Sequence, residues 1–297
     1  MMAHSLKDKV VLITGPARGI GAATARALAS RGARLSLVGM EPELLAALAA
    51  ELGPRHAWFT CDVTDQRALD DAVARTVATF GGIDVVVANA GISTHGTMLV
   101  ADVEALVRVI DVNVSGVIRT VKATLPHLVA RQGYVLVVSS AAAFSAMPGL
   151  SAYAASKAGV EQLANVLRLE MAAHGVDVGS AHMSWIDTDL VRDVQADLSA
   201  FNRTIAKLPG PYKRITTLDA CAEAFVGAIE SRARQLFVPK SLGRFSAIRQ
   251  LLGSAFAQQF TRGAMAPMIE QTERDVRELG RGFGKTSVGM GQSFSER

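Results

Sequence analysis

In the stretch SAYAASKAGV, residues 151–160, Tyr153 stands four places ahead of Lys157 among small residues that favour a helix. One helical turn sets both on the same face, with Cβ atoms roughly 5–6 Å apart. A phenol beside an ammonium can give and take a proton. A free phenol, with a pKa near ~10, holds its proton too tightly to serve as a base at neutral pH. A neighbouring cation favours the phenolate. Lowering the pKa by roughly three units takes on the order of 4 kcal/mol, which a close cation in a partly dry site can supply. Taken alone, the spacing also fits a surface tyrosine one turn from a solvated lysine.

Regular elements must hold such a pair in place. Apolar runs rich in β-branched residues, KVVLITG, RLSLVG, HAWFTCD, DVVVANAG, GYVLVVSS, VDVGSAHM and QLFVP, read as strands. Helical segments alternate with them, among them GIGAATARALASRG, ELLAALAAEL, ALDDAVARTVATFG, a long region over about 103–131 and the helix carrying YAASK. This alternation predicts an α/β protein: a doubly wound parallel sheet of about seven strands with helices on both faces. Ligands in such sheets bind beyond the carboxyl ends of the strands.

The unusual residues fall at those ends. The first strand runs into TGPARGIG, where Gly15, Gly19 and Gly21 allow a tight turn and a close approach of backbone to a pyrophosphate, with free helix N–H groups beyond. Plain turn chemistry would use the same glycines. The third strand ends at Asp62, the fourth at Asn89-Ala90-Gly91 and the fifth at Ser139 and Ser140. Singly, these could be a helix cap, a turn residue and loop serines. Jointly they outline a cofactor site.

TGPARGIG, the NAG at 89–91, Ser140 thirteen residues before Tyr153, and Y-x-x-x-K at 153–157 together resemble the short-chain dehydrogenase/reductase family, over about Lys7 to Val238. The T-G-x-x-x-G-x-G order looks like the shorter oxidoreductase branch of this Rossmann-type fold. The resemblance implies that Tyr153 is the general acid in carbonyl reduction and the general base in the reverse. It implies that Lys157 also bonds the nicotinamide ribose, Ser140 holds the substrate oxygen, and Asn113 in DVNVSG supports a water linking Lys157 to solvent. It further implies a cofactor site of Gly15, Arg18, Gly19, Ile20, Gly21, Asp62, Val63, Asn89, Ala90, Gly91, Tyr153, Lys157, Ile186 and Thr188.

The sequence departs from the family pattern in two places. In LSLVGMEPE, Gly39 stands where NAD-preferring members carry an acid and Met40 where NADP-preferring ones often place an arginine. Arg18 could meet a 2′-phosphate, so NADP(H) is expected, with NAD(H) as the alternative. After the sixth strand the family commonly has Pro-Gly, whereas this chain has HMSWIDT, which keeps Thr188. Trp185 either lines the substrate pocket or packs beneath the loop. The segment 186–217 occupies the substrate-covering region of the family. His95 could face the same pocket, although a lone loop histidine is more often solvated. None of the histidines has metal-ligand spacing, and no metal is expected.

Bulk properties are those of an ordinary globular chain of 297 residues, 49% hydrophobic and 20% charged. Cys61 and Cys221 lie far apart, which fits a reducing compartment and two structural thiols. The N-terminus lacks a secretion signal, and the uncharged run Gln132–Ser156 is broken by five serines, Pro148 and two glycines. A cytoplasmic protein with no transmembrane segment is expected. From Lys240 onward nine Lys and Arg face five Asp and Glu, while the preceding residues balance at 22 each, too little to argue for nucleic acid.

Residues 1–239 are expected to form the catalytic domain and 240–297 a C-terminal helical extension with a mobile end. In it, Phe245, Ile248, Leu252 and Phe256 recur at helical spacing, and a second helical stretch covers about Pro267 to Leu279. These helices either pack on the core or a second subunit, close over a greasy substrate, or rest peripherally on an anionic membrane. An oxidoreductase acting on a hydrophobic carbonyl or alcohol is therefore expected. A non-catalytic NAD(P)-binding regulator or membrane-surface protein is the alternative. By resemblance the chain forms a homodimer or homotetramer through its two long helices.

Overall fold

The computed structural model describes residues 4–199, 201, 205, 210–252, 254–281 and 284. Seven parallel strands form one sheet in the order β3-β2-β1-β4-β5-β6-β7. They are β1 (Val10–Thr14), β2 (Arg34–Gly39), β3 (Ala57–Thr60), β4 (Val85–Ala88), β5 (Tyr134–Val138), β6 (Asp177–Met183) and β7 (Gln235–Val238). The central strands β1, β4 and β5 are buried along their whole length. A strand covered on both faces has no need of polar alternation, so each reads as a continuous apolar run. The strand order reverses between β1 and β4, and the glycine-rich turn leaves β1 beside that switch point.

Two apolar layers fill the faces. One side carries α1 (Gly19–Ser30), α2 (Pro42–Leu52) and a later helix, α8 (Leu218–Glu230). The other carries α3 (Gln66–Phe80), α4 (Val103–Ile110), α5 (Gly116–Arg131) and α6 (Ser151–Ala172). The long region expected over 103–131 is not one uniform helix: a π turn, Asp111–Ser115, interrupts it between α4 and α5. Such bulges recur at functional sites, and this one contains Asn113. Cys61 and Cys221 are buried free thiols, each pushed up to about 12 by burial.

The extension differs from the expected pair of helices. Its first part is two short helices, α9 (Leu242–Ala247) and α10 (Arg249–Leu252), because Phe245 turns inward against Tyr212 while Arg249 turns to the buried Glu161 of α6. Ile248 and Leu251 are left exposed. The side chains of Leu252 and Phe256 lie outside the described residues. The second part, α11 (Ala255–Leu279), starts twelve residues ahead of Pro267, which it carries in its interior. Between β6 and α8 lies α7 (Asp189–Asp197). Among the described residues no helix is long and apolar enough to cross a membrane.

Candidate active site

The carboxyl ends of the strands border a groove of about 230 Å³. Each residue expected to bind the cofactor lines it, from Gly15, Arg18, Gly19, Ile20 and Gly21 through Asp62, Val63, Asn89, Ala90 and Gly91 to Tyr153, Lys157, Ile186 and Thr188. Gly15 has φ +64°, a left-handed turn, and a Cβ there would stand 2.9 Å from Ala90 Cα. At Gly21 a Cβ would strike Gly15 O and lie 2.8 Å from Asn89 Nδ2. Asn89 Nδ2 donates to Thr14 O and Gly15 O at 3.0 Å each, fastening the turn to the end of β4.

These residues fit a dinucleotide. Helix α1 has no side-chain cap and no acid in its first turn, so its leading N–H groups open on the groove, and the Arg18 Nε is buried without a partner. Helices α3, α4 and α7, by contrast, are capped by Asp65, Asp102 and Thr188. Thr188 thus spends its hydroxyl on α7 while its methyl faces Gly19 across the groove. Burial pushes the Asp62 carboxyl up, but hydrogen bonds from Thr64 and the Arg108 guanidinium outweigh it and leave Asp62 below its ordinary range.

Tyr153, Lys157 and Ser140 meet at the groove's inner end. Lys157 is buried, and its Nζ donates to Val138 O at 2.9 Å and lies 5.5 Å from the Tyr153 ring centroid. The ammonium is thus turned to a strand-end carbonyl, not to the phenol oxygen. Burial raises the Tyr153 phenol above its ordinary value, against the opposing effect of the Ser140 hydroxyl. This reverses the expectation that the cation beside it would lower the pKa. Tyr153 is half-buried, which limits the rise. Ser140 caps the turn after β5, accepting from Ala142 N at 3.1 Å.

Asn113 lies just behind, completely buried. The π turn lets it reach the chain after β4, where Oδ1 accepts from Ile92 N at 2.8 Å and Nδ2 donates to Ile92 O and Ser156 Oγ. Ser156 Oγ in turn donates to Tyr153 O. Asn113 therefore braces the loop after β4 against the tyrosine's own helix turn.

Burial lowers the Lys157 pKa to about 8 from 10.5. Between these values the unfolded chain holds the proton more tightly, so stability rises with pH across that window and is lost as pH falls through 8. The shift corresponds to about 3 kcal/mol. Replacing Lys157 with methionine is expected to flatten the rise in Tm between about pH 8 and 10.5 while abolishing activity. Thermal melts across that range test this, and an unchanged slope would remove the buried charge as its source.

Beside the groove lies a second cavity of about 130 Å³ that shares Ser140, Tyr153, Met183, Ser184, Leu190 and Val191 with it. Its wall is mostly apolar: Met147, Leu150, Val191, Val194, Leu198, Phe201 and Ile205. Trp185 takes the lining place, with its ring edge-on to Phe201 at 5.0 Å. The Ser184-Trp185 loop is pinned by Thr216, whose N donates to Trp185 O and whose O accepts from Asp187 N.

Helix α11 closes the far side. Met268 and Thr272 line the cavity, Asp275 accepts from Ser199 N at 2.8 Å, and Glu273 accepts from Thr97 Oγ1 at 2.7 Å. Of the two places expected for His95 it takes the one in the pocket wall and not the solvated one: it is 3% exposed, because α7 and the chain just past α11 cover it. Glu41, Arg108, Met268 and Thr272 are site residues that sequence reasoning missed. Glu41 alone was findable, two places beyond the strand end; it bridges Arg18 at 3.2 Å. Among the described residues no group of His, Cys, Asp or Glu could hold a metal ion.

A family model, short chain dehydrogenase, matches residues 9–199. Cis-4-hydroxycyclohexanecarboxylate dehydrogenase of Sinomonas cyclohexanicum is 37% identical over 227 residues, 75% of this chain and 90% of that protein. The (-)-isopiperitenol/(-)-carveol dehydrogenase of Mentha piperita is 35% identical, covering 73% of this chain and 82% of its own. The putative oxidoreductase SadH of Mycobacterium tuberculosis is 29% identical over 87% of this chain and 96% of its own. The crystal structure of gox2181 superposes with a TM-score of 0.73 at 24% identity, over 80% of this chain and 97% of that one, which speaks for the fold.

Proposed function

This chain belongs to the short-chain dehydrogenase/reductase family and is an NAD(P)-dependent oxidoreductase of alcohols or carbonyls; from that premise we propose that it works on a hydrophobic substrate with NADP(H), Tyr153 acting as general acid and base. One observation carries the reading: Ser140 and Tyr153 line both the groove and the apolar cavity, so a carbonyl in the cavity meets the proton donor at the border of the cofactor site. When bound, the nicotinamide supplies or takes the hydride. The Tyr153 phenol gives its proton to the carbonyl oxygen in reduction and takes one from the alcohol in oxidation. Ser140 Oγ orients that oxygen, Lys157 keeps a cation beside the tyrosine, and Asn113 holds their helix turn in register. The apolar wall excludes water.

Both named dehydrogenase relatives act, by their names, on hydroxylated compounds, which supports an alcohol or ketone as substrate. Purified protein given NADPH and a panel of alicyclic and aryl ketones is expected to consume the cofactor. No consumption with NADPH or NADH across the panel, nor formation of either from the matching alcohols, would remove the hydrophobic-substrate reading. Exposed Val103, Val107, Ile118 and Leu169 on α4, α5 and α6 support pairing into a homodimer or homotetramer.

The preference for NADP(H) rests on Arg18. Its guanidinium reaches into the groove beside Gly39 and is held there by Glu41. Arg18 turns from this carboxylate to a 2′-phosphate, and Glu41 opposes the phosphate by like charge. Arg18→Ala is expected to weaken NADPH binding about tenfold with little effect on NADH, and Glu41→Ala to strengthen NADPH binding. Calorimetric titration of the three proteins with both cofactors is the measurement; NADH preference in the unmodified protein would overturn the choice.

A further inference from the structure

The polar side chains that line the substrate cavity besides Ser140 and Tyr153 are Ser93, Ser145, Ser184, Tyr212, Thr272 and one buried imidazole that no step above uses. His95 lines it, 3% exposed, and neither of its ring nitrogens has a hydrogen-bond partner. Its Nε2 lies 3.7 Å from Asp197 Oδ2, beyond hydrogen-bond reach, and that oxygen is also unpartnered and buried. The other Asp197 oxygen accepts from Arg281 Nη2 at 2.6 Å, just past α11, so the cluster is assembled from the loop after β4, the end of α7 and the extension. A buried donor and a buried acceptor left apart are unfavourable until a third polar atom joins them.

Resting on the oxidoreductase reading, we propose that His95 is a substrate-recognition residue: the natural substrate is apolar but carries a second, neutral oxygen, a hydroxyl, distant from the reacting carbon, and His95 bonds it. A hydroxyl can accept from one ring nitrogen or donate to the other. A carboxylate in that place would face the Asp197 and Asp193 charges, with Arg281 opposed to them among the described residues, and is disfavoured. Sites built to pair a buried polar group discriminate strongly against the analogue that lacks it.

The test uses ligand binding, so that it stands apart from turnover. Trp185 lines the same cavity, and its fluorescence reports alicyclic ketones, the same ketones bearing a distal hydroxyl at increasing separation, and the matching keto-carboxylates. At least one hydroxy-ketone is expected to bind about tenfold tighter than its parent. In His95→Leu that ratio collapses to about one, and His95→Gln, which keeps a donor and an acceptor, restores part of it. Equal binding of all parents and hydroxy-ketones, a ratio unmoved in His95→Leu, tightest binding of the carboxylates, or no binding of any of them overturns the proposal. Binding with the expected pattern but no cofactor consumption would instead remove the catalytic reading and leave this one standing.

Discussion

Tyr153→Phe is expected to lower turnover about a thousandfold while leaving NADPH binding within a factor of about two. The ring stays and its packing against the core layer under α3–α6 is kept, but the only phenol among the described residues that lines both groove and cavity is gone. Ser140 cannot replace it, since an aliphatic hydroxyl is a far weaker acid than a phenol. Under the proposed mechanism reduction needs the protonated phenol, so its rate is expected to be full below the phenol pKa and to fall as pH rises through it. Oxidation needs the phenolate and runs the opposite way. Steady-state rates in both directions against pH check the sign, and the variant must lose both limbs. Unchanged turnover would return the chain to the reading of a nucleotide-binding regulator.

Gly21→Ala is the second large effect, and it falls on binding and stability together. One methyl at this position meets backbone on two sides, Gly15 O and Pro16 Cα at 2.9 Å, and the Asn89 amide at 2.8 Å. Backbone cannot swing aside as a long side chain can. The turn must open, and the two bonds from Asn89 Nδ2 to Thr14 O and Gly15 O stretch with it. Overpacking of this kind costs about 3 kcal/mol. A fall in Tm of several degrees and a loss of cofactor affinity of about a hundredfold are expected, the second because the uncapped end of α1 moves with the turn. Gly227, inside α8 with nothing within 4 Å of a built Cβ, is the control: Gly227→Ala should leave cofactor affinity unchanged and raise Tm slightly.

The parts of this molecule legible in the sequence are those fixed by local pattern. Each strand is an apolar run long enough to be read, and the polar residues that follow Thr14, Thr60, Ala88 and Val138 stand out against it. The tyrosine–lysine spacing is a property of one helix. Other features depend on what a distant segment brings. His95 reads as a loop residue because Asp197 and Arg281, which bury it, lie about a hundred and two hundred residues away. The π turn has no pattern of its own: Asp111 to Ser115 continue the helical periodicity, and only the bonds from Asn113 to Ile92 and Ser156 show why the ladder slips there. The rise in the Tyr153 pKa is likewise a matter of burial, which the elements around the phenol decide and residue types cannot say.

Met268 and Thr272 reach the cavity from a helix more than a hundred residues downstream of Tyr153, and they touch none of the catalytic residues by hydrogen bond among the described contacts. One part of the cavity wall is thereby encoded in a stretch of the gene separate from that of Ser140, Tyr153 and Lys157, while His95, Met147, Leu150 and Trp185 supply the rest from the catalytic domain. Recombination or mutation of the 3′ end could retune which molecules are accepted while the hydride-handling machinery is inherited intact.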